Sequence, residues 1–246
     1  LPSTSHLENL RVVLVSTRNS LNIGAAARAI SNFGAAHLRL VTPYEPSWRE
    51  AKSAVGAAQL MANAREYPTV AEAVADCSLV VGTTAVGNRE LRQPLHSLEK
   101  AGPLITRRLA RGNVALLFGS EKWGLSNEDL SYCHWLLRIP TREEHRSMNL
   151  GQAVAVCLYE LARKSPSSRV AKSQRDNAEP AAPMADVDRI TEVLLENLRA
   201  SGYIAPRGAA TAEEKLRRML RRFDLNQSDA TVFLGMLRKI LYKLQK

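Results

Sequence analysis

Five short runs rich in Val, Leu, Ile and Phe recur along the first two thirds of the chain, at residues 10–16, 37–42, 78–83, 114–119 and 135–140. Longer stretches with apolar positions at helical spacing separate them. Strands covered on both faces read as continuous apolar runs, so this alternation predicts an α/β domain over residues 7–163, a mainly parallel sheet flanked by helices. After the first run, Ile23, Ala26, Ala27, Ile30 and Phe33 share one face of a helix starting near Asn22, and Gly34 suits its end. Arg28 lies about 140° from Ile23 around that helix, at ~100° per residue, and so points off the core.

The pattern changes after residue 163. Residues 164–184 carry three prolines and four serines, with no aromatic residue, Leu or Ile, which predicts a flexible linker unable to bury enough apolar surface to fold. Residues 185–246 then predict a small all-α unit of about three helices. Val187, Ile190, Leu194 and Leu198 line the first. The second is expected to start at a capping box, Thr211-x-x-Glu214, with Leu216, Met219, Leu220 and Phe223 as its apolar stripe. Phe233, Met236, Leu237, Ile240 and Leu244 line the third.

Charge adds a candidate partner. The 246 residues carry a formal charge of +10. Ten Lys or Arg stand against four acids between Arg207 and Lys246, with Arg217, Arg218, Arg221 and Arg222 grouped on the second tail helix. Such a tail is either a solvated helical face or a grip on nucleic-acid phosphates. The three cysteines, Cys77, Cys133 and Cys157, have no metal-ligand or disulfide spacing, so buried thiols and no metal are expected. No run approaches the roughly 20 apolar residues of a membrane span and no signal-peptide layout opens the chain, which sets the expectation of a cytoplasmic protein without a membrane partner.

Candidate chemistry sits where strands end. The run Val114-Ala115-Leu116-Leu117-Phe118 opens into Gly119-Ser120-Glu121-Lys122-Trp123-Gly124-Leu125, and the run from Trp135 leads to Ile139-Pro140 and then Ser147-Met148-Asn149-Leu150. Loops at the carboxyl ends of parallel strands are where open α/β sheets bind ligands. A phosphate-binding loop would need Lys after its second glycine, whereas this chain has Leu125, and Glu121 would put a negative charge inside the cradle. No G-x-G-x-x-G follows the first strand, which removes the main support for a dinucleotide site. Taken singly, the remaining signals have bland readings: Arg28 as a solvated arginine, Thr83-Thr84-Ala85 as a capped loop, Ser147 to Asn149 as a helix cap.

Together, Asn22-x-Gly24-x-x-x-Arg28, Gly119-x-Glu121-x-x-Gly124-Leu125 and Ile139-Pro140 with Ser147-Met148-Asn149-Leu150 resemble, in order and spacing, the three motifs of the SpoU branch of the SPOUT RNA methyltransferases. Met148 stands where the family commonly has Leu, and Lys122-Trp123 replaces a basic-aliphatic pair. The tail resembles the C-terminal extension of the TrmJ-like tRNA 2'-O-methyltransferases. The resemblance implies a deep trefoil knot in the α/β domain, a homodimer whose active site is completed across the interface, and S-adenosylmethionine as cofactor held by Thr83, Thr84, Ala85, Gly119, Ile139, Ser147 and Met148. It implies methyl transfer to a ribose 2'-hydroxyl at nucleotide 32 of the tRNA anticodon loop. Arg28 would act on the target nucleotide, with Asn22, Glu121, Ser147 and Asn149 holding it in register. RNA would also meet Arg217, Arg218, Arg221 and Arg222. The alternatives are 2'-O-methylation of ribosomal RNA or of another tRNA site, and a non-catalytic RNA-binding protein on the same fold.

Overall fold

The computed structural model describes residues 5–44, 46–85, 91–163, 179–204 and 209–246. Most of the expected linker, 164–178, lies outside them. Seven strands form one sheet: β1 (Leu10–Val15), β2 (His37–Val41), β3 (Arg65–Tyr67), β4 (Leu79–Thr83), β5 (Leu95–Ser97), β6 (Val114–Phe118) and β7 (Trp135–Arg138), in spatial order β3-β2-β1-β6-β4-β7-β5. Every pairing is parallel. The five apolar runs are the five inner strands. The two strands that the hydrophobic pattern misses, β3 and β5, are three-residue edge strands built from Arg65-Glu66-Tyr67 and Leu95-His96-Ser97. An edge strand is half solvated, so it carries no apolar run to be recognised.

Alternate residues of the inner strands feed two cores. Leu10, Val12, Leu14, Leu116 and Phe118 face a layer made by α1 (Ser20–Asn32), the short α2 (Ala58–Asn63), α4 (Leu98–Leu109) and α6 (Leu150–Arg163). Asn19 caps α1 by accepting a 2.8 Å bond from the Leu21 N–H, and Gly34 follows the helix at φ +73°. Ile23, Ala26, Ala27 and Ile30 are buried as their spacing predicts.

The second face of the sheet, with Val13, Val15, Val80, Ala115 and Leu117, is covered by two short helices, α3 (Val70–Val74) and α5 (Asn127–Ser131), and by the C-terminal helices. These are α7 (Met184–Ala200), α8 (Ala209–Arg221) and α9 (Gln227–Leu244). Residues 179–184, assigned by composition to the linker, are docked where described: Ala182 N–H donates to Leu225 O at 2.9 Å and Met184 N–H to Cys77 O at 2.9 Å. Met184, Val187, Ile190 and Val193 share this core with the strands. Each such side chain, fully buried, contributes about 1.5–3 kcal/mol. A chain ending at Arg163 should therefore melt lower by about 10 °C or more and aggregate; melting at the full-length temperature in scanning calorimetry would show that α7 to α9 are dispensable to the core.

The tail helices are also rotated relative to their expected stripes. Helix α8 begins at Ala209, so Thr211 lies inside it and caps nothing, and Glu214 pairs with Arg218 at 3.3 Å. Its inward face is Arg217, Leu220 and Arg221, while Phe223 is half exposed. On α9, Ala230 and Leu237 are buried with Phe233, Leu234 and Leu241 against them, which turns Met236, Ile240 and Leu244 outward. Two buried arginines claim positions on α8 that a purely apolar stripe would have filled.

His134 belongs to this core. It is buried, and its Nδ1 accepts the Val80 N–H at 3.1 Å, so that nitrogen carries no proton. Burial, with Arg221 and Arg108 nearby, pushes its pKa down to about 3. Between about 3 and 6.5 the unfolded chain then binds a proton that the folded chain refuses, so this stabilisation is complete above 6.5 and shrinks as pH falls below it. The loss should be about 1.4 kcal/mol per pH unit. Urea titrations at pH 7 and pH 5 should give a smaller difference for His134→Asn than for wild type; equal differences would mean that His134 is not held neutral.

Candidate active site

The carboxyl ends of β4, β6 and β7 and the start of α6 enclose a cavity of about 440 Å³. Its size falls within the range of small-molecule and cofactor sites. All seven residues expected to hold a cofactor, Thr83, Thr84, Ala85, Gly119, Ile139, Ser147 and Met148, line it. The loops are held from beneath: Thr83 Oγ1 donates to Leu117 O at 2.9 Å and Thr84 N–H to Leu137 O at 3.0 Å. Thr83 and Thr84 are half-buried, leaving small polar side chains and backbone at the cavity surface.

The loop after β6 folds back on itself. Gly124 N–H donates to Ser120 O at 2.8 Å, and Gly124 sits at φ +67°. The return passes so close to Gly119 that a Cβ there would lie 2.0 Å from Gly124 C and 2.1 Å from Leu125 N. Only glycine fits. This close turn forms one wall of the cavity, which Glu121 also lines while it reaches α1.

Glu121 gathers the N-terminus of α1. Its Oε2 accepts from Arg18 N–H at 3.0 Å, and its Oε1 accepts from Asn22 Nδ2 at 2.7 Å and from Asn19 N–H at 3.3 Å. Partial burial would raise the Glu121 pKa, but the hydrogen bonds from Arg18, Asn22 and Asn19 outweigh it and hold the carboxyl below its ordinary range. An ionised carboxylate over the first N–H groups of a helix also meets the positive end of its dipole. Asn22 Oδ1 in turn accepts from Asn149 Nδ2 at 3.0 Å, and Asn149 Oδ1 accepts from Gly151 N–H at 3.0 Å. Asn149 is thus both the cap of α6 and a member of the site. Three segments more than a hundred residues apart at the extremes are locked into one chain of hydrogen bonds, Glu121 to Asn22 to Asn149.

Helices α1 and α6 approach closely to allow this. A Cβ on Gly151 would come 2.7 Å from the Ala25 Cβ, and one on Gly24 would come 2.2 Å from Ser53 Oγ, which itself donates to Leu21 O at 2.7 Å. The small residues of α1 are spent on packing within this chain.

Arg28 stands apart. It is exposed, lies some six residues beyond Asn22, and does not line the cavity. Six residues of helix are about 9 Å of rise and about 120° of net rotation. Among the described residues, no hydrogen bond or ion pair holds it.

The tail arginines divide, and two expectations are corrected. Arg217 is 7% exposed, donates to Ser131 Oγ at 2.8 Å and to Glu213 at 2.6 Å, and lies over the Tyr132 ring at 4.1 Å. Arg221 is 2% exposed and donates to Asp188 at 2.7 Å and to Met184 Sδ. Arg217 ties α8 to α5 and Arg221 ties it to α7, and both are buried rather than presented on the surface. Arg222 is exposed and Arg218 is partly covered by Glu214. Charge counting cannot separate an arginine that meets solvent from one that meets a buried acid.

Further cavity-lining residues were not singled out for the site from sequence: Lys122, Trp123, Thr141 and Arg146. Arg18 and Asn19 contribute only backbone N–H groups, which no side-chain pattern reveals. The three cysteines are buried and free, and burial raises each thiol. No helix among the described residues is long and apolar enough to cross a membrane.

Residues 9–159 match the model of the SpoU rRNA Methylase family. The chain belongs to the SpoU methylase family. The match ends inside α6, but similarity to whole proteins continues into the tail: the chain is 35% identical over 242 residues to the tRNA (cytidine/uridine-2'-O-)-methyltransferase TrmJ of Sodalis glossinidius, covering 95% of this chain and 92% of that protein. The crystal structure of TrmJ from Z. mobilis ZM4 superposes with a TM-score of 0.80 at 34% identity, over 96% of this chain and 99% of that one. The SpoU methyltransferase AviRb from Streptomyces viridochromogenes, solved in complex with the cofactor AdoMet, shares the fold, with a TM-score of 0.50 at 21% identity over 64% of this chain and 58% of that one. For this SpoU methylase, Gly119, Glu121, Asn22 and Asn149 are the residues that the three motif segments bring to one place.

Proposed function

We propose that the chain is an S-adenosylmethionine-dependent tRNA ribose 2'-O-methyltransferase that works as a homodimer on nucleotide 32 of the anticodon loop, with the family's deep trefoil knot around the cofactor. The observation that carries this reading is the convergence of the three motif segments on one 440 Å³ cavity beside the Glu121–Asn22–Asn149 chain. The tRNA substrate rests on the likeness to TrmJ proteins through the tail, beyond the family domain. The cavity suits the cofactor: backbone and hydroxyl groups at Thr83, Thr84, Ala85 and Ser147 can read a nucleoside, and Ile139 and Met148 give apolar contact. The bound cofactor supplies a methyl group already activated on sulfur.

The protein's own part is alignment and charge. Glu121 fixes Asn22, Asn22 fixes Asn149, and Asn149 sets the first turn of α6, so the cavity wall and the ribose-facing groups move as one body. Arg28 of one protomer would reach the other protomer's cavity, where it clamps a phosphate and stabilises the alkoxide forming at the 2'-oxygen. A guanidinium stays protonated, so it serves there as a charge rather than as a base. RNA phosphates beyond the cavity would meet the exposed Arg222, Arg238, Lys239 and Lys243 in place of the buried Arg217 and Arg221.

Incubation of the full chain with S-adenosylmethionine labelled in its methyl group and with purified tRNA or ribosomal RNA, followed by nuclease mapping, tests the reading. Label at a 2'-O-methylated anticodon-loop nucleotide is expected. Label only in ribosomal RNA, the substrate in the family's description, would move the activity there, and no label in either RNA would refute methyl transfer.

A further inference from the structure

Trp123 is the large aromatic residue at the cavity with no packing role. Trp48 is fully buried and donates to Glu66, and Trp135 is half-buried against His96; Trp123 is 69% exposed. A lone exposed side chain on a loose loop would be unremarked, but the backbone that carries this one is held in place. The backbone N–H of Trp123 donates to Ser120 Oγ at 3.2 Å, the Ser120–Gly124 bridge closes the loop around it, and the Lys122 ammonium sits 4.7 Å from the indole ring centre. It follows Glu121 by two residues, so the loop that braces α1 also presents the indole at the cavity mouth. The cavity itself is walled by Gly119, Leu125, Ile139 and Met148, and the indole stands largely in solvent beside it.

We infer that Trp123 is the stacking platform for an unpaired nucleobase of the RNA substrate at the methylation site, with Lys122 meeting the adjoining phosphate. An aromatic face accepts any base, and stacking in single-stranded recognition is lost in sequence-tolerant fashion on truncation to alanine. The neighbouring cation supplies the backbone charge that such platforms combine with the ring. In a single-stranded loop the unstacked base of the target nucleotide is free to find an aromatic partner on the protein, and Trp123 is the flat surface placed to receive it. Cofactor adenine is the competing partner for the ring, and the exposure of Trp123 favours a partner arriving from solvent.

This inference rests on the tRNA methyltransferase reading, and the experiment separates the two. Initial rates of methyl transfer are measured for the full-length wild type, Trp123→Ala and Trp123→Phe against tRNA concentration, alongside calorimetric titration with S-adenosylhomocysteine. Absence of transfer by wild type on any RNA overturns the methyltransferase reading itself. Given wild-type transfer, Trp123→Ala should raise KM for tRNA by roughly 10-fold or more, Trp123→Phe should restore most of it, and S-adenosylhomocysteine affinity should stay within about twofold. A KM unchanged in Trp123→Ala overturns the platform, and loss of S-adenosylhomocysteine binding overturns it in favour of a cofactor contact. Indole fluorescence gives an independent readout: tRNA should quench wild type and leave Trp123→Phe nearly unquenched, and equal quenching of both overturns the inference.

Discussion

Replacing Gly119 by alanine is expected to lower S-adenosylmethionine affinity by about 100-fold or more while leaving the sheet folded. The added Cβ would sit 2.0 Å from one backbone atom and 2.1 Å from another, and backbone has no rotamer with which to retreat. The loop after β6 must open, and with it go the Ser120–Gly124 bridge, the cavity wall and the reach of Glu121 to Asn22. Losing two or three cofactor contacts of about 1 kcal/mol each along that wall amounts to about 100-fold in affinity. Gly124 makes a useful contrast, because a Cβ there meets nothing within 4 Å and alanine pays only for the φ of +67°, about 1 kcal/mol. Calorimetric titration should rank wild type above Gly124→Ala, and Gly124→Ala above Gly119→Ala. Wild-type affinity in Gly119→Ala would mean that this loop does not wall the cofactor site.

The inner strands and the buried face of α1 were legible because burial on both sides leaves an apolar run, and burial on one side leaves a 3.6-residue period. The cavity was legible for a different reason. Its residues sit at strand ends, which the runs themselves locate, and the resemblance to the SpoU family named the individual residues. The hydrogen-bond chain was not: Asn149 reads equally as a helix cap, and the structure shows it doing both jobs with the two ends of one amide. The tail was read least well. Its arginines look alike in sequence, and what separates Arg222 from Arg221 is Asp188 on another helix, thirty-three residues earlier.

That misreading changes what the tail is for. Arg217 and Arg221 spend their charge on Ser131, Glu213 and Asp188, so they bind α8 to α5 and α7. A buried ion pair contributes little net stability but fixes one docking geometry and is costly to break from one side. The tail is thereby held in one register on the back of the sheet, opposite the α1–α6 layer. Its remaining exposed cations form a surface of set position, which suits a folded RNA better than a loosely tethered basic arm.

Arg28→Ala is expected to reduce methyl transfer by about 1000-fold, in the range seen when a preorganised charge is removed from a developing oxyanion. S-adenosylmethionine affinity and melting temperature should hardly move. The exposed side chain makes no hydrogen bond or ion pair among the described residues, so its removal leaves nothing unsatisfied. Its position, about 9 Å of helix rise beyond Asn22 and turned off the Glu121 network, is what the proposed cross-interface role would account for. Mixed dimers test that directly. When Arg28→Ala is combined with Glu121→Ala, the first protomer keeps an intact cavity and the second an intact Arg28. If Arg28 acts across the interface, random reassortment gives one working site in half of the dimers and restores about a quarter of wild-type activity. If Arg28 serves its own cavity, no combination contains a complete site and the mixture stays as inactive as its parts.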